Sequence, residues 1–268
     1  MSTDSPRIGI VDYGMGNRRS VEKALSKVGA RAFISADHAA LAAADGLVLP
    51  GVGAFPAAIA VMEDLGLDAL LVELAAQGMP LFGSCMGMQL LFESSEEHQG
   101  ASGLGLLKGE VRLLRSGGLK LPHIGWSAVC RVKDSPLWGS LPQRIHLYHV
   151  HSYVAEADPD QIVAEAEYGQ SFPAVVGSGN IFGAQSHPEK SSTDGLALLA
   201  NFLAICAAAP ARQAPSAPGG AQEGGSGSTP ARGATDAHDA GRRAAGAPGA
   251  RQEPHAGALA NPGLRVPS

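Results

Sequence analysis

Cysteine, basic charge and long apolar runs are all scarce in this 268-residue chain. Its three cysteines, Cys85, Cys130 and Cys206, stand at unrelated spacings, which excludes a disulfide framework and a CxxC zinc site. Lys and Arg total 20 against 25 Asp and Glu, so no basic excess marks a nucleic-acid binder. No apolar run approaches the roughly 20 residues that cross a bilayer. The first residues lead straight into an apolar strand and lack the layout of a secretory signal. The expectation is a soluble protein of a reducing compartment, the cytoplasm.

Aromatic residues and large aliphatics also disappear after about Ala207. From there on, Leu259, Leu264 and Val266 are the only large aliphatics, and Ala, Gly and Pro supply over half of the segment. Such a stretch cannot bury enough apolar surface to offset the entropy of ordering it. The division expected is a folded domain over 1–207 and a disordered Ala/Gly/Pro-rich tail over 208–268.

Within the folded part, strands and helices alternate in the first half. Ile8–Val11, Arg31–Ile34, Gly46–Leu49 and Met79–Phe82 read as strands. Between them lie a helix carrying Val21, Leu25 and Val28 on one face and a long helical stretch broken near Gly66. This order predicts a parallel sheet covered by helices. In the second half, Gly109–Leu114, Trp126–Val132, Arg144–Val154, Ile162–Glu167 and Ala174–Gln185 read as strands, the last with a hairpin turn inside it. A closing helix carries Leu196, Leu199 and Leu203. The fold class expected is α/β, a central mixed and mostly parallel sheet flanked by helices with an antiparallel extension.

The strongest chemical signal is Gly83-Ser-Cys85-Met-Gly87, set between a buried strand and the apolar Met88–Phe92 helix. A strand-to-helix turn lifts a nucleophile above the sheet edge, and a helix start favours thiolate. Taken alone, the pentapeptide fits either a nucleophile or an inert buried cysteine. A cysteine nucleophile needs a base, and the base an orienting acid. His187 and Glu189 in Gln185-Ser-His-Pro-Glu-Lys190 offer both, two residues apart and on one side of an extended segment. Pro50-Gly-Val-Gly-Ala-Phe55 ends another strand, where backbone N–H groups can meet an oxyanion. It is no dinucleotide loop, because the third glycine of that motif is missing.

Asp12-Tyr-Gly-Met-Gly-Asn17, Leu49-Pro-Gly-Val-Gly-Ala-Phe55, Gly83-Ser-Cys-Met-Gly-Met-Gln-Leu-Leu-Phe-Glu93, Pro122-His-Ile-Gly-Trp126, Val150-His-Ser-Tyr153 and His187-Pro-Glu-Lys-Ser191 occur in this order. Together they resemble the triad (class I) glutamine amidotransferases, and among them the glutaminase subunits of imidazole glycerol phosphate synthase. The resemblance runs from about Ile8 to Leu203. It implies a Cys85, His187 and Glu189 triad that releases ammonia from glutamine. It implies that the N–H of Met86 and a backbone N–H of the Val52-Gly53 loop hold the oxyanion, the loop after a peptide flip. Gly51, Gln89, Glu97, Ser152 and Tyr153 match positions that bind glutamine. The implied partner is a TIM-barrel cyclase subunit, in a heterodimer, with Asn17, Arg18 and Lys190 at the interface. There the ammonia meets a phosphoribulosyl intermediate to give imidazole glycerol phosphate and an aminoimidazole carboxamide ribotide, a step of histidine biosynthesis. No cofactor is implied.

Ser84, Ser127, Ser186 and Arg18 depart from the family pattern, which usually has Ile, Asn, Phe and Leu there. None removes a chemical group. Two rivals stand beside this reading. One is a glutaminase feeding a different synthase, for instance one making nucleotide sugars. The other is a silent regulatory subunit, against which the intact Cys85, His187 and Glu189 speak. His146, His149 and His151 crowd one strand, but only the last two share a face, and no Cys or carboxylate completes a ligand set. No metal site is expected. His123 reads as a packing or interface residue, Trp126 and Trp138 as packing, and Cys130 and Cys206 as small buried hydrophobes.

Overall fold

The computed structural model describes residues 5–210, so the expected tail lies outside the described residues from 211 onward. In chain order the elements are β1 (Arg7–Val11), α1 (Arg18–Lys27), β2 (Arg31–Ser35), α2 (His38–Ala42), β3 (Gly46–Gly51), α3 (Phe55–Asp64), α4 (Leu67–Ala76), β4 (Leu81–Cys85) and α5 (Met86–Gln89). There follow β5 (Ser94–Ser95), β6 (Ala101–Ser102), β7 (Gly109–Leu113), β8 (His123–Arg131), β9 (Arg144–His151), β10 (Tyr153–Ala157), β11 (Ile162–Glu167), β12 (Ser171–Ser178), β13 (Ile181–Ala184) and α6 (Ser192–Ala208). Among the described residues no helix is long and apolar enough to cross a membrane.

Nine strands form one sheet in the order β2-β1-β3-β4-β13-β12-β11-β8-β9. The β2-to-β13 half is parallel and the remainder antiparallel. The parallel half follows from its apolar runs. Along β3, Val48 joins the core with Ile8, Ile10, Phe82 and Phe202, while Leu47 and Leu49 face the other core with Phe55, Met62 and Leu71. A strand that is apolar on both faces needs helices on both. Helix α1 buries Val21, Ala24 and Leu25 on one side. The long helical stretch splits at Gly66, whose φ of 64° caps the start of α4.

From Cys85 onward the structure differs from the sequence expectation in three places. The single strand expected over Arg144–Val154 is two, because β9 ends at His151 and β10 pairs with β7 in a separate four-stranded sheet, β10-β7-β5-β6. Alternation of apolar residues does not stop at Ser152, so the change of sheet leaves no mark in the pattern. Strand β8 starts at His123 rather than Trp126, and the helix after Cys85 is the single turn of α5. Trp138 is fully buried, as expected, but Trp126 is 53% exposed and Cys130 only half-buried.

The register brings three strand ends together. Gly51 lies opposite Cys85 across β3 and β4, and Ala184 opposite Ser84 across β4 and β13. The segment that follows β13 therefore emerges beside Cys85. Open parallel sheets place their sites at this carboxyl edge.

Candidate active site

Cys85 closes β4 with φ 56° and ψ −116°, an unusual backbone for a residue with a side chain. The turn is tight enough to need bare Cα atoms around it. A Cβ on Gly87 would overlap the Leu49 carbonyl oxygen, and one on Gly51 would lie 2.5 Å from Gly87 N. Helix α5 starts at Met86, whose first-turn N–H groups have no partner within the helix. The Cys85 thiol approaches the Val150 carbonyl at 3.7 Å and Gln185 Nε2 at 4.0 Å.

His187 is buried beside it and lines the same cleft as the Cys85 thiol. Its Nδ1 lies 3.0 Å from Glu189 Oε1, and the Glu189 side chain is 2% exposed. The contact forms across a 3-10 turn, Pro188–Lys190, rather than the extended segment expected. Pro188 sits at the start of the turn, and Ser191 Oγ donates to the His187 carbonyl at 2.7 Å to close it. Burial would lower the imidazole pKa, but hydrogen bonds to Cys85 and Glu189 and the charges of both outweigh it and raise it to about 9. A charged imidazole against a thiol is the pairing in which sulfur attacks as thiolate. Glu189 Oε2 is buried without a hydrogen-bond partner, so this carboxylate serves His187 alone.

A cleft of about 310 Å³ opens over the thiol, lined by Val52, Gly53, Cys85, Met86, Gln89, Glu97, Ser152, Tyr153, His187 and Lys190, with Pro122, Val150 and His151. Most residues singled out in the sequence thus meet in one place. Gly51, expected to bind substrate, does not line the cleft but packs against Met86 and Gly87, and Glu189 stands behind His187. Gln89 donates both of its amide hydrogens, to the Tyr153 carbonyl at 2.8 Å and to Gln185 Oε1 at 3.1 Å, which leaves its own oxygen as acceptor. Glu97 is no solvated member of an acidic run. Its side chain is 14% exposed and accepts from Phe55 N–H at 2.7 Å, at the start of α3.

Lys190, expected at a partner interface, also lines the cleft. Asn17 and Arg18 stand outside it, at the start of α1, where Arg18 ion-pairs with Asp12. Helix α1 packs against the 188–190 turn, so the three lie at one end of the molecule. Sequence reasoning gave no role to Gln185, which is fully buried between Gln89 and Cys85, or to Tyr13, whose hydroxyl donates to the Pro50 carbonyl at 2.7 Å. Burial first, and then the Cys85 charge, raises the Tyr13 pKa and keeps it a donor. A polar residue at the end of the apolar Ile181–Ala184 run, two places before His187, was the only signal for Gln185.

Behind the cleft the structure joins residues that the sequence kept apart. Strand β8 sets His123 directly opposite His151, so His123, His149 and His151 cluster with their ring nitrogens within 4.8 Å. Burial lowers the pKa of all three, His151 to about 3, so each is a neutral imidazole near neutral pH.

The class-I glutamine amidotransferase family matches residues 9–206. The chain is 49% identical to an imidazole glycerol phosphate synthase subunit HisH of Bacillus cereus, over 74% of this chain and 94% of that one. It is 48% identical to the HisH subunit of Bacillus licheniformis, over 73% and 94%. Among solved structures, PurLQS from Thermotoga maritima superposes with a TM-score of 0.61 at 22% identity, covering 75% of this chain, and 99% of the matched chain. A crystal structure of a glutamine amidotransferase gives 0.60 at 19%, covering 74% and 98%. These two likenesses are of fold.

Proposed function

The chain belongs to the class-I glutamine amidotransferases and, within them, to the HisH subunits, and we propose that it hydrolyses glutamine and hands the ammonia to a cyclase subunit in histidine biosynthesis. The observation that carries the catalytic part is the Cys85–His187–Glu189 array at the floor of a cleft that also holds Gln89 and Glu97.

Cys85 sulfur, as thiolate, adds to the side-chain amide carbon of glutamine. The oxygen that becomes negative is met by the Met86 N–H and by a backbone N–H of the Val52-Gly53 loop. Charged His187 gives its proton to the leaving nitrogen, the C–N bond breaks, and ammonia departs from a glutamyl thioester. His187, now neutral, takes a proton from water as its oxygen attacks the thioester carbon. Collapse of the second tetrahedral adduct releases glutamate and returns thiolate and imidazolium. Glu189 holds the ring with Nδ1–H toward itself and stabilises its charge. The Gln89 oxygen and Glu97 suit the substrate α-ammonium, and the Ser152-Tyr153 stretch suits its α-carboxylate. Gly51 gives the backbone room for the nucleophile turn.

Asn17, Arg18 and Lys190 face the cyclase in a heterodimer, where the products are imidazole glycerol phosphate and aminoimidazole carboxamide ribotide, a lyase-coupled step. A reducing cytoplasm keeps the Cys85 thiol free for this chemistry. Glutamate formation by the purified chain, alone and with its own cyclase subunit and the phosphoribulosyl ligand, tests the proposal against a Cys85→Ala blank. Low activity that rises strongly with the loaded cyclase is expected. Activity indifferent to the cyclase would assign the chain to another synthase, and activity equal to the blank throughout would make it a silent subunit.

A further inference from the structure

We propose that His123, His149 and His151 form a three-imidazole site for a divalent transition cation, zinc foremost, in the ladder between β8 and β9. Residues two apart in a strand project to one face, which puts His149 and His151 side by side. The pairing of His123 with His151 brings the third ring from the neighbouring strand. Three neutral imidazoles with an open fourth position are a ligand set for zinc.

The hydrogen bonds around the cluster support this assignment. His151 Nδ1 lies 3.1 Å from the Tyr153 carbonyl, which accepts only, so Nδ1 carries the hydrogen and Nε2 holds a lone pair. His123 Nε2 lies 2.9 Å from Ser127 Oγ, which leaves Nδ1 facing inward. Outer nitrogens anchored in this manner are the usual support of metal-bound histidines. The two inner nitrogens, His123 Nδ1 and His151 Nε2, hydrogen-bond each other at 3.2 Å, so His123 Nδ1 carries a hydrogen that an ion would displace, the ring then donating from Nε2 to Ser127 Oγ. Two ligands about 2.0–2.1 Å from one tetrahedral ion stand roughly 3.3 Å apart. His149 is fully buried and has no hydrogen bond at either nitrogen. An unmet buried polar group of this kind costs about 1–3 kcal/mol, and a cation would satisfy it. Its ring now stacks on His123 at 14° between planes, so it must turn to direct a lone pair at the ion. No hydrogen bond holds it against that turn. His151 lines the cleft, which supplies a path for the ion and a fourth ligand from water.

Such an ion would clamp β8 to β9 on both sides of Val150, the residue whose carbonyl meets the Cys85 thiol. This rests on the cluster alone and holds whether or not the chain is a glutaminase.

The test uses the full-length chain carrying Cys85→Ala, so that the nucleophile cannot bind metal, stripped by a chelator and titrated with Co²⁺. The expected result is one saturable equivalent with visible d–d absorption, no sulfur charge-transfer band, and displacement by Zn²⁺. In the same background His149→Phe should weaken this binding by more than about 100-fold. Ser127→Ala, which keeps all three rings, should weaken it roughly 10–100-fold, as loss of an outer-shell partner does. Histidines and cysteines elsewhere are common to all three chains, so the differences read the cluster. Absence of the saturable band, or equal binding by the variants, would overturn the site and leave a hydrogen-bonded packing cluster. Should His149→Phe fail to fold, Ser127→Ala decides alone.

Discussion

Ser186 is fully buried between the last strand and His187, and its hydroxyl has no hydrogen-bond partner. The family pattern has an aromatic residue there, so the sequence marked the position without saying which way it acts. Removing an unsatisfied buried hydroxyl should help, and Ser186→Ala is expected to raise stability by about 1 kcal/mol in urea denaturation. His187 makes a pH prediction. Its pKa rises from 6.5 to about 9 in the folded chain, so folding binds its proton more tightly. That stability is fully present below about pH 6.5 and is lost as pH rises through about 9. Glu189→Gln removes a charge that raises the pKa, and should move this alkaline loss to lower pH in thermal melts between pH 6 and 10. The same variant should lower kcat on the order of 10²–10⁴-fold, the range of general acid–base contributions.

At the scale of elements, the 188–190 turn places His187, the proposed base, through one hydroxyl. Ser191 Oγ donates to the His187 carbonyl at 2.7 Å and accepts from Tyr148 N–H at 2.9 Å, tying the turn to β9. Ser191→Ala would leave the half-buried Tyr148 N–H without this partner, and is expected to cost about 1 kcal/mol of stability in denaturant melts. Glutaminase kcat should fall with it, with KM less affected, because the ring moves and the substrate contacts stay. The sequence reading had His187 and Glu189 on one side of an extended segment. Their contact is made, but by a turn whose closing hydrogen bonds come from residues outside the His-Pro-Glu motif. The β9–β10 break at Ser152 was equally hidden, since register with β7 rather than local pattern decides where a strand leaves one sheet for another.

Across the whole molecule, Ile124 and Trp126 are 60% and 53% exposed on one face of β8, and Trp126 meets Tyr148 edge-on. The 188–190 turn with Lys190 packs on β9, the neighbouring strand, so these apolar side chains lie toward the end proposed for the cyclase. The chain has two tryptophans, and Trp138 is fully buried. Both emit, but only Trp126 is exposed to a docking partner, so a change in emission on binding reports Trp126. Its emission is expected to shift to the blue when the cyclase subunit is added, and Trp126→Ala should weaken the complex by about 1–3 kcal/mol. An emission unchanged by a bound cyclase would place docking elsewhere.

The sequence by itself determined the parallel half of the sheet and singled out Cys85, His187 and Glu189 as the residues proposed for nucleophile, base and acid. Both are local: apolar runs between turns require strands covered on two faces, and the Gly83–Gly87 turn and the His187 segment carry their chemistry in contiguous residues. Tertiary structure alone decided which distant groups share the cleft. Glu97 reaches Phe55 N–H across 42 residues, and Gln89 is fixed by Gln185 across 96. It also decided the histidine cluster, because His123 joins His149 and His151 only through the pairing of β8 with β9. Strand register is set by the packing of the whole sheet, and no single segment encodes it.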